Sequence, residues 1–167
     1  MATIPAVLSV VDERHREVDA VIIAAFSDPG LSQARRAASC PVFGISESAM
    51  KTAARMADRF AIVTLNAELR DAIEANAVAY GHAGQLTGVR ILPWSVATVS
   101  ADPSAYRRAF AEACAQVVAE DGAGAVIIGG GPLSGIAEAI AEELPVPVLD
   151  GVRCAVEMAL APGGRAA

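Results

Sequence analysis

The sequence is poor in aromatic residues, in charge and in long apolar runs, and each shortage excludes a class of protein. Aromatic residues make up 4% and charged residues 19% of the 167 positions. The formal net charge of −6 is opposite in sign to the basic surface that binds nucleic acid. No apolar run has the length of a membrane span, and no secretory signal opens the chain. We therefore expect a cytoplasmic protein without nucleic-acid or membrane partners.

Cysteine and histidine are also scarce, which argues against a metal site or a disulfide framework. Cys40, Cys114 and Cys154 are widely spaced and include no Cys-x-x-Cys pair. His15 and His82 stand in polar surroundings and are interpreted as exposed surface residues. The glycine patterns that bind dinucleotides or nucleotide phosphates are missing as well. We expect no metal and no cofactor.

What the chain does have is apolar material in a repeated arrangement. Hydrophobic residues account for 54% of the sequence, which favours buried parallel strands covered by alanine-rich helices. The run from Ala125 ends in Gly129-Gly130-Gly131, and a matching run from Ala20 ends in Ala24-Ala25-Phe26, so that Ala25 corresponds to Gly130 and Phe26 to Gly131. This match predicts two related halves, at about 19–60 and 124–160, within a single domain over 1–167.

The elements follow from apolar periodicity and from start and stop signals. We predict strands at 20–25, 41–44, 60–64, 89–92, 125–128 and 145–149. We predict helices at 1–18, 31–38, 46–59, 67–80, 103–120, 132–143 and 151–160. Residues 93–101 are interpreted as a loop, and the tail at 162–167 as disordered.

The carboxyl ends of the two matching strands are predicted to face each other across a cleft, where open α/β sheets bind small ligands. Main-chain N–H groups of Gly130 and Gly131, just before a helix, could attract an anionic oxygen. The alternative for these glycines is a plain turn. The side chains near the cleft also have two possible roles, capping a helix or contacting a ligand. They are Ser27, Asp28 and Ser46. Glu47 is either a solvated residue of a helix's first turn or a ligand contact, whereas Asp150 is interpreted as a helix cap and Trp94 as a packing residue.

Five stretches together resemble the aspartate/glutamate/hydantoin racemase superfamily, especially its hydantoin and allantoin racemase branch. They are Asp19–Leu31, Pro41–Met50, Phe60–Thr64, Asp121–Gly129 and Pro147–Gly151. The resemblance implies a three-layer α/β fold of two pseudo-symmetric halves with parallel sheets. It also implies an N-terminally shortened member, since the family usually opens with a further strand and an Asn-Pro-Asn-like turn.

Members of this family use two cysteines on opposite faces of a substrate carbon, one to remove a proton and one to return it. The matching positions here are Ala25 and Gly130, so the catalytic residues are open, with Ser27, Ser46 and Glu47 as candidates. The resemblance places substrate-binding groups at positions of both halves. They are Phe26, Ser27, Thr64, Leu65, Gly130 and Gly131.

Three functions remain open at this point. One is a cofactor-independent isomerase acting on the stereocentre of an amino acid, hydantoin or related carboxylate. The second is a relative that binds such a molecule without catalysis, and the third is a lyase or decarboxylase using the same oxyanion cradle. A missing first strand would expose an apolar sheet edge, so we also expect a homo-oligomer.

Overall fold

The computed structural model describes residues 3–161, which form two parallel β-sheets with helices around them. The first half contains α1 (Ile4–Arg14), β1 (Val21–Ile23), α2 (Leu31–Ala37), β2 (Val42–Gly44) and α3 (Ile45–Met56). The middle segment contains β3 (Phe60–Thr64), α4 (Arg70–Ala79), β4 (Leu86–Ile91) and α5 (Val96–Ala101). The second half contains α6 (Pro103–Asp121), β5 (Ala125–Gly129), α7 (Ile136–Ile140), β6 (Val148–Asp150) and α8 (Gly151–Leu160).

The larger sheet has the order β4-β3-β5-β6, and β1 and β2 form a separate parallel pair. In the larger sheet Thr64 lies opposite Gly129, so β3 and β5 end side by side. All five residues of β3 and of β5 are buried, because helices cover both faces of the sheet.

The two halves repeat the same arrangement of helix, strand, helix, strand and helix. α1, β1, α2, β2 and α3 correspond in order to α6, β5, α7, β6 and α8, and α3 packs against α8 where the halves meet. The predicted α/β fold with two pseudo-symmetric halves is therefore confirmed.

Several predicted boundaries are wrong, and local interactions explain them. The predicted helix 132–143 is a 3₁₀ turn at Gly131–Leu133, the short α7 and a second 3₁₀ turn, because Gly135 adopts a left-handed φ of 92° that a continuous helix does not allow. Residues 96–101 are helical rather than a loop, since the Ser95 side chain accepts from the N–H of Thr98. β4 starts at Leu86, three residues earlier than predicted.

The predicted exposure of both histidines is also wrong. His15 is 5% exposed, and its Nδ1 accepts the N–H of Ser39 at 2.9 Å, which ties the end of α1 to the segment before β2. His82 is half-buried, with its ring edge-on to Phe60. The predicted disorder at 162–167 lies outside the described residues. Within residues 3–161, no helix is long and apolar enough to cross a membrane.

Candidate functional site

The carboxyl ends of β1 and β5 meet, as the repeat predicts. A methyl group on Gly131 would overlap the carbonyl oxygen of Ala24. The main chain is therefore in contact at these two residues, which lie 107 positions apart in the sequence. Ala25 and Gly130, the two positions matched to cysteine, flank this contact and are both half-buried. The candidate site is therefore the junction of the two strand ends.

The backbone at Gly130 is shaped for glycine. Its φ of 145° and ψ of 128° lie in a region that side chains disfavour, and a Cβ there would approach Leu133 Cδ1 at 3.3 Å. Restoring a thiol at this position would strain the turn. Cys114 and Cys154 do not replace it, since they are buried in α6 and α8. Burial raises the pKa of the Cys114 thiol to about 12, which keeps it protonated.

The Phe26 side chain belongs to the interior of the protein. It is 2% exposed, and its ring lies so close to Gly129 and Gly151 that a Cβ on either would contact it at 2.8 or 3.3 Å. The ring fills the space between β5 and α8 and joins the two halves. If Phe26 contributes to ligand binding, it does so through its main chain.

Thr64 and Leu65 border the same junction from β3. The Thr64 hydroxyl donates to the carbonyl oxygen of Gly129 at 2.6 Å and is buried. This bond fixes the end of β3 to the end of β5. Leu65 is 5% exposed and packs in the core beneath α6.

The three candidate catalytic side chains all belong to the first half. Ser27 is half-buried, and its carbonyl oxygen accepts from Asn76 Nδ2 at 3.1 Å. Ser46 is fully buried, and its hydroxyl has no partner among the described residues. Glu47 forms a two-pronged ion pair with Arg35, with one contact at 3.0 Å. No candidate base therefore comes from the second half.

The predicted caps in this region are partly wrong. Gly30 occupies the N-cap of α2 and Gly44 that of α3, so neither Ser27, Asp28 nor Ser46 caps the helix assigned to it. Asp150 does cap α8, as predicted, by accepting from the N–H groups of Val152 and Arg153.

Asp28 has a different role that its sequence position did not suggest. Its carboxylate accepts from the N–H groups of Ser46 and Glu47 at 3.1 and 2.8 Å, and from the Tyr80 hydroxyl at 2.9 Å. It thereby caps α3 from outside that helix and holds the loop after β1. Burial raises the pKa of Asp28 to about 6, although the three hydrogen bonds act in the opposite direction. Local spacing gives no signal for this, since Tyr80 lies 52 positions away.

The matched family model describes aspartate/glutamate/hydantoin racemases and covers residues 2–159. The chain belongs to the Asp/Glu/hydantoin racemase family. It is 34% identical over 158 residues to a hydantoin racemase from Pseudomonas sp. strain NS671, a match covering 94% of this chain and 64% of the relative. The chain thus spans less than two thirds of that relative's length.

Solved structures give the same fold. An allantoin racemase from Klebsiella pneumoniae superposes with a TM-score of 0.87 at 34% identity, over 93% of this chain and 64% of that one. An arylmalonate decarboxylase superposes with a TM-score of 0.71 at 16% identity, over 94% of this chain and 74% of that one, and shows the likeness of fold alone.

Proposed function

We propose that this protein is a cofactor-independent isomerase that acts on the stereocentre of an amino acid, a hydantoin or a related carboxylate. The observation that carries the proposal is the contact between Ala24 and Gly131, which brings the two strand ends together. The relative from Pseudomonas sp., with 34% identity, is named a hydantoin racemase. The substrate would lie at the junction, against groups from both halves.

The chemistry requires a base for the proton and donors for the oxygens that gain charge. We assign the donors to main-chain N–H groups at Phe26, Ser27, Gly130 and Gly131, with Thr64 and Leu65 bordering the pocket. The helix dipole adds little on the second side, because the segment after Gly130 is one 3₁₀ turn followed by a five-residue helix. The hydrogen bonds from these main-chain N–H groups therefore have to stabilise the charge on the substrate oxygens.

A second candidate is a relative that binds the same ligands without catalysis. Neither Ala25 nor Gly130 carries a group that can move a proton. Ser27, Ser46 and Glu47 come from the first half alone, so they offer a base for one face of the substrate carbon. Inversion needs proton transfer on both faces, or a single base that reaches both.

Deuterium exchange separates these functions. The protein is incubated in D₂O with single enantiomers of hydantoins and amino acids, and the α-proton is followed by NMR together with optical rotation. Exchange with inversion supports the isomerase, and exchange with retention indicates a single base. Ligand-induced shifts without exchange support the binder. An absence of both exchange and binding across the panel contradicts both candidates.

A matched pair of variants tests the candidate base. Glu47→Gln removes a carboxylate from the first turn of α3, whereas Glu138→Gln changes an exposed carboxylate on α7. If Glu47 is the base, only the first variant loses exchange.

The expected cytoplasmic location and homo-oligomer stay predictions. Cell fractionation tests the location. Light scattering tests the oligomer, and a monomer at working concentration would contradict it.

A further inference from the structure

The outer edges of β2 and β6 are equivalent in the two halves but differ in what covers them. Within the described residues, β2 pairs with β1 alone and β6 with β5 alone. The N–H of Val21 donates to the carbonyl oxygen of Pro41, and the N–H of Val126 donates to that of Pro147, both at 2.9 Å. Because alternate residues of a parallel strand bond to opposite sides, the main-chain groups of the residue after each proline face the outer edge.

In the first half an arginine covers this edge. Arg35 of α2 donates from its Nε to the carbonyl oxygen of Val42 at 2.9 Å. The rest of its guanidinium forms the two-pronged ion pair with Glu47 at the start of α3. Arg35 therefore supplies a donor to a main-chain acceptor that the sheet leaves unpaired, and a carboxylate on the following helix balances its charge.

The equivalent carbonyl group in the second half has no donor. Val148 takes the place of Val42, since each follows a proline that bonds to the neighbouring strand. No residue in the described part of the chain donates to the Val148 carbonyl oxygen from the outer edge. Arg153 lies on α8, but its Nε donates to Glu157 at 2.9 Å instead. The Val148 carbonyl is therefore available to a donor from outside the chain.

A groove with an excess of negative charge lies at this edge. It encloses about 400 Å³ between α7, β6 and α8, with α3 also contributing to its walls. Its charged lining consists of three carboxylates and one cation, namely Glu138, Asp150, Glu157 and Arg153. Glu157 accepts from Arg153 through one oxygen, and its other oxygen has no partner among the described residues. The volume suits a small molecule, and the charge favours a cation.

We propose that this groove binds a small molecule with an alkylguanidinium group, which does at β6 what Arg35 does at β2. One N–H of the ligand donates to the carbonyl oxygen of Val148, and another donates to the unpaired oxygen of Glu157. The planar guanidinium has donors on several sides, so it can bond both acceptors at once. The alkyl chain lies against Met56 and Ala141. The groove is separate from the junction of Ala24 with Gly131, and the proposal does not rest on the racemase activity.

An NMR titration of the ¹³C,¹⁵N-labelled protein with butylguanidinium tests the proposal, and butylurea serves as the uncharged control of similar shape. We expect saturable binding of butylguanidinium with a dissociation constant of about 1 mM. The carbonyl carbon of Val148 should shift, and butylurea should not bind at the same concentrations. Equal binding of the two compounds, or shifts that leave out the Val148 carbonyl, overturn the proposal.

Two matched variants locate the charge. Glu157→Gln removes the carboxylate that faces the ligand and also releases Arg153, whereas Glu142→Gln makes the same change at an exposed glutamate outside the groove. We expect Glu157→Gln to weaken the binding of butylguanidinium about tenfold and Glu142→Gln to change it less than about twofold. Equal losses in the two variants overturn the proposal.

A blocked tripeptide, Ala-Arg-Ala, separates the two sources of an alkylguanidinium group. It carries the same group on a polypeptide main chain, with an acetyl group and an amide at its ends. We expect it to bind no more tightly than butylguanidinium, because the groove has the volume of a small-molecule site. Binding of the tripeptide that is tenfold tighter or more would overturn the assignment to a small molecule and point to an arginine side chain of another protein.

Discussion

Each half of the molecule uses one carboxylate to connect the loop after its first strand to the helix after its second strand. In the first half the carboxylate belongs to the loop, and in the second half it belongs to the N-cap of the helix. In the first half Asp28 lies in the loop after β1 and caps α3, whose N-cap residue is Gly44. In the second half Asp150 is itself the N-cap of α8, and its carboxylate also accepts the N–H of Gly135 in the loop after β5. Each loop is thus fastened to the helix that follows the next strand.

Aligning the two halves shows which residues take the place of the carboxylate and of the N-cap. The match of Ala25 with Gly130 pairs Asp28 with Leu133, and the match of Pro41 with Pro147 pairs Gly44 with Asp150. A Cβ on Gly44 would overlap the Asp28 carboxylate, so glycine is required there for space. The comparison indicates that the carboxylate can come from the loop or from the N-cap of the helix. It also indicates that the two positions cannot both carry a side chain of this size.

Asp28→Leu should have the largest effect. It installs the residue found at the equivalent place in the second half but leaves the N–H groups of Ser46 and Glu47 and the Tyr80 hydroxyl without their acceptor. We expect a loss of about 3 kcal/mol in the free energy of unfolding, measured by urea denaturation.

The double variant Asp28→Leu/Gly44→Asp transplants the arrangement of the second half. The carboxylate introduced by Gly44→Asp would occupy the N-cap position and reach the same two N–H groups, as Asp150 does in α8. We expect the double variant to be more stable than Asp28→Leu by about 1 kcal/mol. A double variant as unstable as the sum of the two single changes would show that the halves are not interchangeable.

Gly44→Ala tests the space requirement alone. The added methyl group collides with the Asp28 carboxylate, although the φ of −96° at this position suits any residue. We expect a loss of about 2 kcal/mol by the same measurement. In an Asp28→Ala background the same change should cost much less, and an unchanged cost would contradict the collision.

The pH dependence of stability tests the burial of Asp28. Its pKa is raised from 3.8 to about 6 in the folded protein, so protonation favours folding. The associated stability is fully present below the unfolded pKa and is lost as the pH rises through about 6. Between pH 7 and pH 5 the protein should gain about 1 kcal/mol relative to Asp28→Asn. A constant difference between the two proteins, or a change of opposite sign, would contradict this.

Tyr80→Phe should have the smallest effect. It removes the hydroxyl that donates to Asp28 and leaves both main-chain donors in place. We expect a loss of about 0.5–1 kcal/mol in unfolding free energy and a further rise in the pKa of Asp28, followed by NMR of its carboxyl carbon. A pKa that falls in this variant would show that the hydroxyl does not stabilise the ionised form.

Regular patterns predicted the fold well, and long-range contacts account for what they missed. The bounds of β3 were predicted correctly, because its apolar run stands between clear breaks. The prediction of α7 was wrong, since its apolar spacing gave no warning that Gly135 would interrupt the helix. α5 was missed because one side-chain bond from Ser95 starts it.

For the candidate site, the sequence predicted that the two matching strand ends meet. The structure shows this as the contact between Gly131 and Ala24. The sequence did not reveal that Phe26 fills the interior or that Asp28, Asn76 and Tyr80 hold the first loop, because these contacts join residues about 50 positions apart or more. Local patterns describe neighbours along the chain, whereas these bonds depend on how the helices pack.

The most direct test of the account is a titration of the ¹⁵N-labelled protein with hydantoin and with small amino acids, followed by NMR. If the two strand ends form one site, the amide signals of Ala25–Ser27 and of Gly130–Gly131 should shift together with a single affinity. Shifts confined to one half, or no shift in either half at saturating ligand, would contradict it.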